Sequence, residues 1–193
     1  MIVDGREIAR DIESKLKKTF AAYDKEPHID FLSFGEDPST RSFLNIKRRV
    51  AKRIGVDLHI HELPENTIES AAEKILQSLV DGQSDGVVVQ LPLPSYFNRE
   101  TFLDIVPKEK DIDCLSPNAL ELYRKNENVF VPPVAAAVEE ILSRNNIDLL
   151  DKKIAIVGYG NLVGKPVSLL LENKGAEFEV FNSDSDLNRL REV

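Results

Sequence analysis

The sequence predicts a parallel α/β fold, and three observations carry that expectation. Strand-like and helix-like patterns alternate along most of the 193 residues, the order from which parallel sheets are built. The run Val87-Val88-Val89 is apolar at every position, as a strand covered on both faces must be. The stretch IAIVGYGNLVGKPVSLLL (154–171) joins an apolar run to a glycine-rich turn and then to an apolar helix face, the order of a strand–turn–helix nucleotide-binding unit.

The elements follow in order. Asp4-Gly5 opens a helix whose Ile8, Ile12, Leu16 and Phe20 form one stripe. IDFLSF (29–34) reads as a strand and GEDPST (35–40) as the turn after it. A second helix is expected from about Ser39 to Ile54, stopped by Gly55, with Phe43, Ile46, Val50 and Ile54 on one side. DLHIHEL (57–63) alternates like a half-buried strand, and Thr67 is placed to cap a helix carrying Ile68, Ala71, Ala72, Ile75, Leu76 and Leu79. Gly86 opens VVVQLPLP (87–94), whose prolines end the strand because they cannot donate to a ladder. Phe102 to Val106 leads into the polar loop PKEKDID (107–113), and Pro132-Pro133 precedes a helical pattern from Val134 to Leu142. After the glycine turn come a helix with Val167, Leu170 and Leu171 on one face, the short strand FEVF (178–181) and the start of another helix. A nucleotide-binding half needs at least βαβαβ, so the chain is expected to end inside this domain.

Composition narrows the function classes. The chain is 42% hydrophobic and 30% charged, with a net charge of −8 and a pI near 5.0. An extended nucleic-acid surface needs clustered basic residues, and the single cluster, Lys47-Arg48-Arg49 with Lys52-Arg53, falls within one expected helix. No run approaches the roughly 20 apolar residues of a membrane span. MIVDGREIAR lacks the basic-then-apolar order of a secretory signal. One cysteine, Cys114, excludes an intrachain disulfide and a Cys-based zinc site. A cytoplasmic protein is expected.

Several residues invite chemistry. Lys47 falls within or beside the apolar arc of the second helix, one turn from Phe43. It either snorkels its ammonium to water or stands desolvated on an aromatic floor, suited to proton transfer. Gln90 closes the valine run, and the C-terminal ends of parallel strands are where ligands bind. Asp111 and Asp113 alternate in a loop, where acids are commonly solvated or capping. His59 and His61 share a strand face, but no third ligand stands with them in sequence, so a solvent face is expected and no metal site is assigned. The turn glycines Gly158, Gly160 and Gly164 depart from G-x-G-x-x-G by one residue, the third arriving late.

Taken together, VDGREIA, the order Gly35-Glu36-Asp37-Pro38-Ser39, an aromatic and a lysine four apart, VQLPLP, KDID and GYGNLVGKP resemble the methylenetetrahydrofolate dehydrogenase/cyclohydrolase family over essentially the whole chain. The late third glycine is a feature of that family. The resemblance implies an N-terminal folate-binding and catalytic α/β domain over 1–131, followed over 132–193 by a Rossmann-type nucleotide-binding domain that is incomplete. It implies oxidation of 5,10-methylenetetrahydrofolate with NAD or NADP, hydrolysis of the methenyl product to 10-formyltetrahydrofolate, and a homodimer. By the same resemblance Lys47 handles protons, Gln90 tunes it and Asp113 holds the pterin ring, with Phe43, Val89 and Leu91 beside the substrate. Gly158, Tyr159, Gly160, Gly164, Ser183 and Asp184 fall to the cofactor. A non-catalytic folate-binding relative, or another two-domain NAD(P)-dependent dehydrogenase of a small acid, are the alternatives.

The chain departs from the family at identifiable places. Phe43 replaces a tyrosine, Cys114 a glycine, PPVAAA (132–137) a Pro-Cys-Thr-Pro-x-Gly segment, and Gly158-Tyr159-Gly160 a Gly-Arg-Ser loop. Members that take NADP set that arginine against the 2′-phosphate. With Tyr159 in its place, and Asp184 twenty residues past Gly164 where an acid would accept from a ribose hydroxyl, NAD is favoured.

Overall fold

The computed structural model describes residues 2–35, 37–127, 130–150 and 152–191, so Glu36 of the GEDPS turn lies outside the described residues. The fold is α/β, in two compact units, Met1–Ile112 and Asp113–Val193. The sequence reading draws its division later, between 131 and 132.

In the first unit, β1 (His28–Phe34), β2 (Asp57–Leu63) and β3 (Gly86–Val89) form a parallel sheet in the order β2-β1-β3. Register runs from His28↔Asp57 to Phe34↔Leu63 on one side of β1, and from Ile29↔Gly86 to Leu32↔Val89 on the other. Side chains alternate across a sheet. Ile29, Phe31, Leu58, Ile60 and Val88 therefore share one face, where Leu44 of α2 (Pro38–Ile54) packs against them. The opposite face of β1 and β2 carries His28, Asp30 and Leu32 beside Asp57, His59 and His61.

Local chemistry sets the ends of the helices. Asp4 caps α1 (Gly5–Phe20) by accepting from the Arg6 and Glu7 N–H groups at 2.9 and 3.2 Å. Asp37 caps α2 through the Thr40 N–H at 2.8 Å, and Gly55, at φ +80°, ends it in a left-handed turn that glycine adopts without strain. Arg53 of α2 forks onto Glu13 of α1 with two bonds of 2.8 Å.

Some expectations need correction. The buried residues of α2 are Leu44 and Ala51, whereas Phe43 and Ile46 are each 48% exposed. The apolar arc read from the sequence is thus rotated from the side that meets the sheet, with Val50 and Ile54 half-buried at its edge. Helix α3 (Glu69–Asp81) is capped by Ile68 without a side-chain bond. Thr67 instead belongs to the preceding turn, its N–H donating to Pro64 and its carbonyl accepting from the Tyr96 hydroxyl. β3 stops at Val89, well short of residue 94. Two short helices, α4 (Arg99–Leu103) and α5 (Pro117–Arg124), add to the elements the sequence predicts. Asn98 and Ser116 cap them, accepting from the Thr101 and Ala119 N–H groups. α4 buries Phe102 completely among Phe34 and Phe97, with ring centroids 6.0 and 5.0 Å away. Burying such a ring contributes roughly 2–3 kcal/mol.

The second unit packs α5, α6 (Pro133–Arg144) and α7 (Gly164–Asn173) around Tyr123, Ala135, Leu169 and Leu170. Beside them β4 (Ala155–Val157) and β5 (Glu179–Phe181) pair in parallel, followed by a short 3-10 helix, Leu187–Arg191. Among the described residues, no helix is long and apolar enough to cross a membrane.

Candidate functional site

Lys47 lies on α2 between its buried and exposed sides, and its Nζ sits 4.5 Å from the ring centroid of Phe31 and 4.9 Å from that of Phe43. Both distances are within cation–π range. The sequence singled out the partner one helical turn away; Phe31 it missed, because only the packing of α2 on β1 brings that ring under the ammonium. The second ring is the half-exposed Phe43, so the pair forms an aromatic clamp with one wall in the core and one at the surface.

Gln90 is the first residue beyond β3. Its N–H donates to the Leu32 carbonyl at 2.8 Å, and its Nε2 donates to the Leu91 carbonyl, also at 2.8 Å. With Nε2 so committed, Oε1 is the amide atom suited to accept from a cation. Val89 is 2% exposed and supports Gln90 from within the sheet, whereas Leu91 is half-buried. Asp113 is half-buried too. The segment before it is tied to the sheet by a parallel bridge between Val87 and Asp111 and by the Val87 N–H donating to Lys110 at 2.8 Å. Ile112 packs over Gly86, where a Cβ would come within 2.8 Å of it, which explains why a glycine opens the valine run. Cys114, next after Asp113, is buried with φ +49°. That left-handed conformation is one glycine takes freely, and holding a cysteine in it costs on the order of 1–2 kcal/mol.

The glycine turn accounts for its late third glycine. Gly158 has φ +92° and donates to the Phe181 carbonyl at 2.7 Å. A Cβ on Gly164 would lie 2.0 Å from the Gly158 carbonyl oxygen, so α7 can abut the turn only through a glycine. At Gly158 and Gly160 a Cβ would meet nothing within 4 Å, so the outer side of the turn is open. The Val163 and Lys165 N–H groups donate inward to the Gly160 carbonyl at 3.3 and 3.1 Å. Val163 therefore does not add to the outward-facing donors. Tyr159 is 44% exposed and accepts from the Ser168 hydroxyl at 3.4 Å. Because β4 and β5 run parallel with Val157 beside Phe181, Ser183 and Asp184 leave the sheet at the same end as the turn. Both are exposed, and the Ser183 hydroxyl donates to the Asp184 carboxylate at 3.4 Å.

His59 and His61, expected simply to face solvent, have company. The buried Asp30 accepts from His61 at 2.7 Å, and His28 lies between Asp30 and Asp57 at 3.2 and 2.9 Å. His28 and Asp30 escaped notice because they sit on another strand, and only the register His28↔Asp57 and Asp30↔His59 aligns them.

Comparison with known proteins gives one family for both units. Residues 3–113 match the family model described as tetrahydrofolate dehydrogenase/cyclohydrolase, catalytic domain. Residues 132–192 match its NAD(P)-binding domain. The chain is 29% identical over 188 residues to the bifunctional protein FolD of Lactobacillus delbrueckii subsp. bulgaricus, covering 95% of this chain and 66% of that protein. It is 32% identical over 188 residues to that of Bdellovibrio bacteriovorus, covering 95% and 65%. The chain thus spans just under two thirds of the length of these relatives. Among solved structures, it is similar to the Trypanosoma brucei methylenetetrahydrofolate dehydrogenase-cyclohydrolase in complex with NADP and an inhibitor. There the TM-score is 0.92 and the identity 28%, over 100% of this chain and 67% of that one. A 5,10-methylenetetrahydrofolate dehydrogenase from the silkworm Bombyx mori gives 0.91 and 26%, over 99% and 71%.

Proposed function

The chain belongs to the tetrahydrofolate dehydrogenase/cyclohydrolase family, and we propose that it serves one-carbon folate chemistry. The reactions are NAD(P)-dependent oxidation of 5,10-methylenetetrahydrofolate to the methenyl form and hydrolysis of that form to 10-formyltetrahydrofolate. The observation that carries this reading is the Lys47 ammonium held over the Phe31 and Phe43 rings. A lysine so placed has its cation fixed by two aromatic faces, where it can pass a proton to or from a substrate.

Each residue then has a task. Lys47 takes up and returns the proton as water adds to the cationic methenyl carbon and the ring carbon–nitrogen bond opens. Gln90, its Nε2 anchored on the Leu91 carbonyl, has the role of orienting the lysine through Oε1 once substrate is bound. Asp113 accepts from the N–H groups of the pterin ring and fixes its position. Phe43 and Leu91 border the substrate, and Val89 holds the strand end beneath them. The open turn at Gly158 and Gly160 fits a dinucleotide, and Tyr159, Gly164, Ser183 and Asp184 complete the residues that would hold it. Bound there, the nicotinamide supplies the acceptor for the hydride. Asp184 and the absence of an arginine at Tyr159 favour NAD over NADP. A homodimer acting in the cytoplasm completes the proposal, and the family resemblance supports it.

Calorimetry with tetrahydrofolate tests the substrate class, and an assay of methenyltetrahydrofolate hydrolysis tests the lysine. Asp113→Ala should weaken folate binding at least tenfold, and Lys47→Met should abolish hydrolysis while the unfolding midpoint stays near that of the parent. No heat at millimolar folate, with Asp113→Ala making no difference, would sink the folate assignment.

A further inference from the structure

We propose that the first unit carries a site for a first-row divalent cation of the zinc class, formed by His28, Asp30 and His59 on the sheet face opposite α2. All three histidines of the chain stand on this face. One ligand atom from each of His28, Asp30 and His59 lies within 4.8 Å of the others. A tetrahedral zinc centre places its ligand atoms about 3.4 Å apart, so the site must contract by roughly 1 Å. The needed movement falls to His59, whose side chain is 55% exposed and whose Nε2 meets Asp57 Oδ1 at 3.1 Å, while His28 and Asp30 are 18% and 7% exposed and already set.

The surroundings are those of a built site. The Asp30 carboxylate is oriented from both sides, by His61 on Oδ1 and by the Ser84 hydroxyl and His28 on Oδ2. Behind His28, Nδ1 meets Asp57 Oδ2 at 2.9 Å, leaving Nε2 toward Asp30. A histidine that gives its other nitrogen to a carboxylate is the usual second layer of a metal centre. Two imidazoles and one carboxylate suit zinc, cobalt or nickel, whereas calcium and magnesium require oxygen donors. The cation would tie the first halves of β1 and β2 together, away from Gln90 at the far end of the sheet, so this inference does not depend on the folate reading.

Titration of the untagged chain with Zn2+ by calorimetry, and with Co2+ by visible absorption, provides the test. One equivalent should bind, with the intense cobalt bands of a four-coordinate nitrogen/oxygen centre. His28→Gln and His59→Gln should each weaken binding at least a hundredfold, and Asp57→Asn about tenfold. Because His59 is at the surface, its replacement leaves the fold intact, which circular dichroism checks, and the result is readable even if His28→Gln fails to fold. Absence of one-to-one binding, or binding that survives His59→Gln and Asp57→Asn unchanged, overturns the site.

Discussion

At the scale of single residues, Phe43 separates what packing requires from what chemistry requires. Its ring is 48% exposed, yet it forms one wall of the clamp on Lys47. Exposed apolar residues are ordinary when single, but at this one the family resemblance implies a tyrosine. At a residue 48% exposed, an added hydroxyl does not have to bury an unpaired polar group. Phe43→Tyr should therefore change stability by less than about 0.5 kcal/mol. If the hydroxyl was part of the proton path, the same substitution should raise the rate of methenyltetrahydrofolate hydrolysis severalfold, in a manner lost when Lys47→Met is added. A rate that Phe43→Tyr leaves unchanged would assign the ring a packing role alone. The sequence could show that an aromatic and a lysine stand one turn apart; it could not show Phe31 as the other wall, since that contact crosses from helix to sheet.

At the scale of elements, legibility followed length and periodicity. β2 was read with its observed bounds because DLHIHEL alternates over its whole length, and α1 because its cap and stripe agree. α4 and α5 escaped because five and eight residues are too few to show a helical period, leaving only their Asn98 and Ser116-Pro117 starts as signals. The apolar arc expected on α2 is rotated from its buried side: Val50 and Ile54 are half-buried, Phe43 and Ile46 face outward, and Leu44 and Ala51 fill the core. α5 also carries a testable consequence. Tyr123, 5% exposed in the core with α6 and α7, has its phenol pushed up to about 12 by burial and by the negative charges of Glu139 and Cys114. The folded protein thus keeps this proton after the unfolded chain, titrating near 10, has lost it. Stability must then fall as pH rises from about 10 to about 12, by roughly 2–3 kcal/mol from this group. Below pH 10 both states hold the proton and the contribution is constant. Urea unfolding at pH 9 and pH 11 should show the parent losing more stability over that interval than Tyr123→Phe. Equal losses would remove Tyr123 as the cause.

At the scale of the whole molecule, the α/β class and the glycine turn were legible because each is written in contiguous residues. The cation site was not, since it exists only once two strands are in register. Cofactor preference joins the two kinds of information. The acid twenty residues past Gly164 is visible in the sequence, but its meaning depends on β5 lying parallel to β4, which brings Asp184 to the end where the turn opens. Asp186 follows two residues later in the same exposed stretch, so negative charge accumulates past the end of β5, on the side where the proposed nucleotide turn opens. A dianionic phosphate about 4 Å from a carboxylate is repelled by roughly 2 kcal/mol in a water-like medium, close to thirtyfold in affinity, and ionic screening brings that nearer tenfold. Tyr159 supplies no opposing charge, whereas a ribose hydroxyl could donate to Asp184. Fluorescence titration should therefore show NADH binding about tenfold more tightly than NADPH, with the gap narrowing as salt is added. Asp184→Ser should close most of the gap, and adding Tyr159→Arg should reverse it. Tighter binding of NADPH by the parent chain would show that the acid does not face the ribose, and the specificity assignment would fall with it.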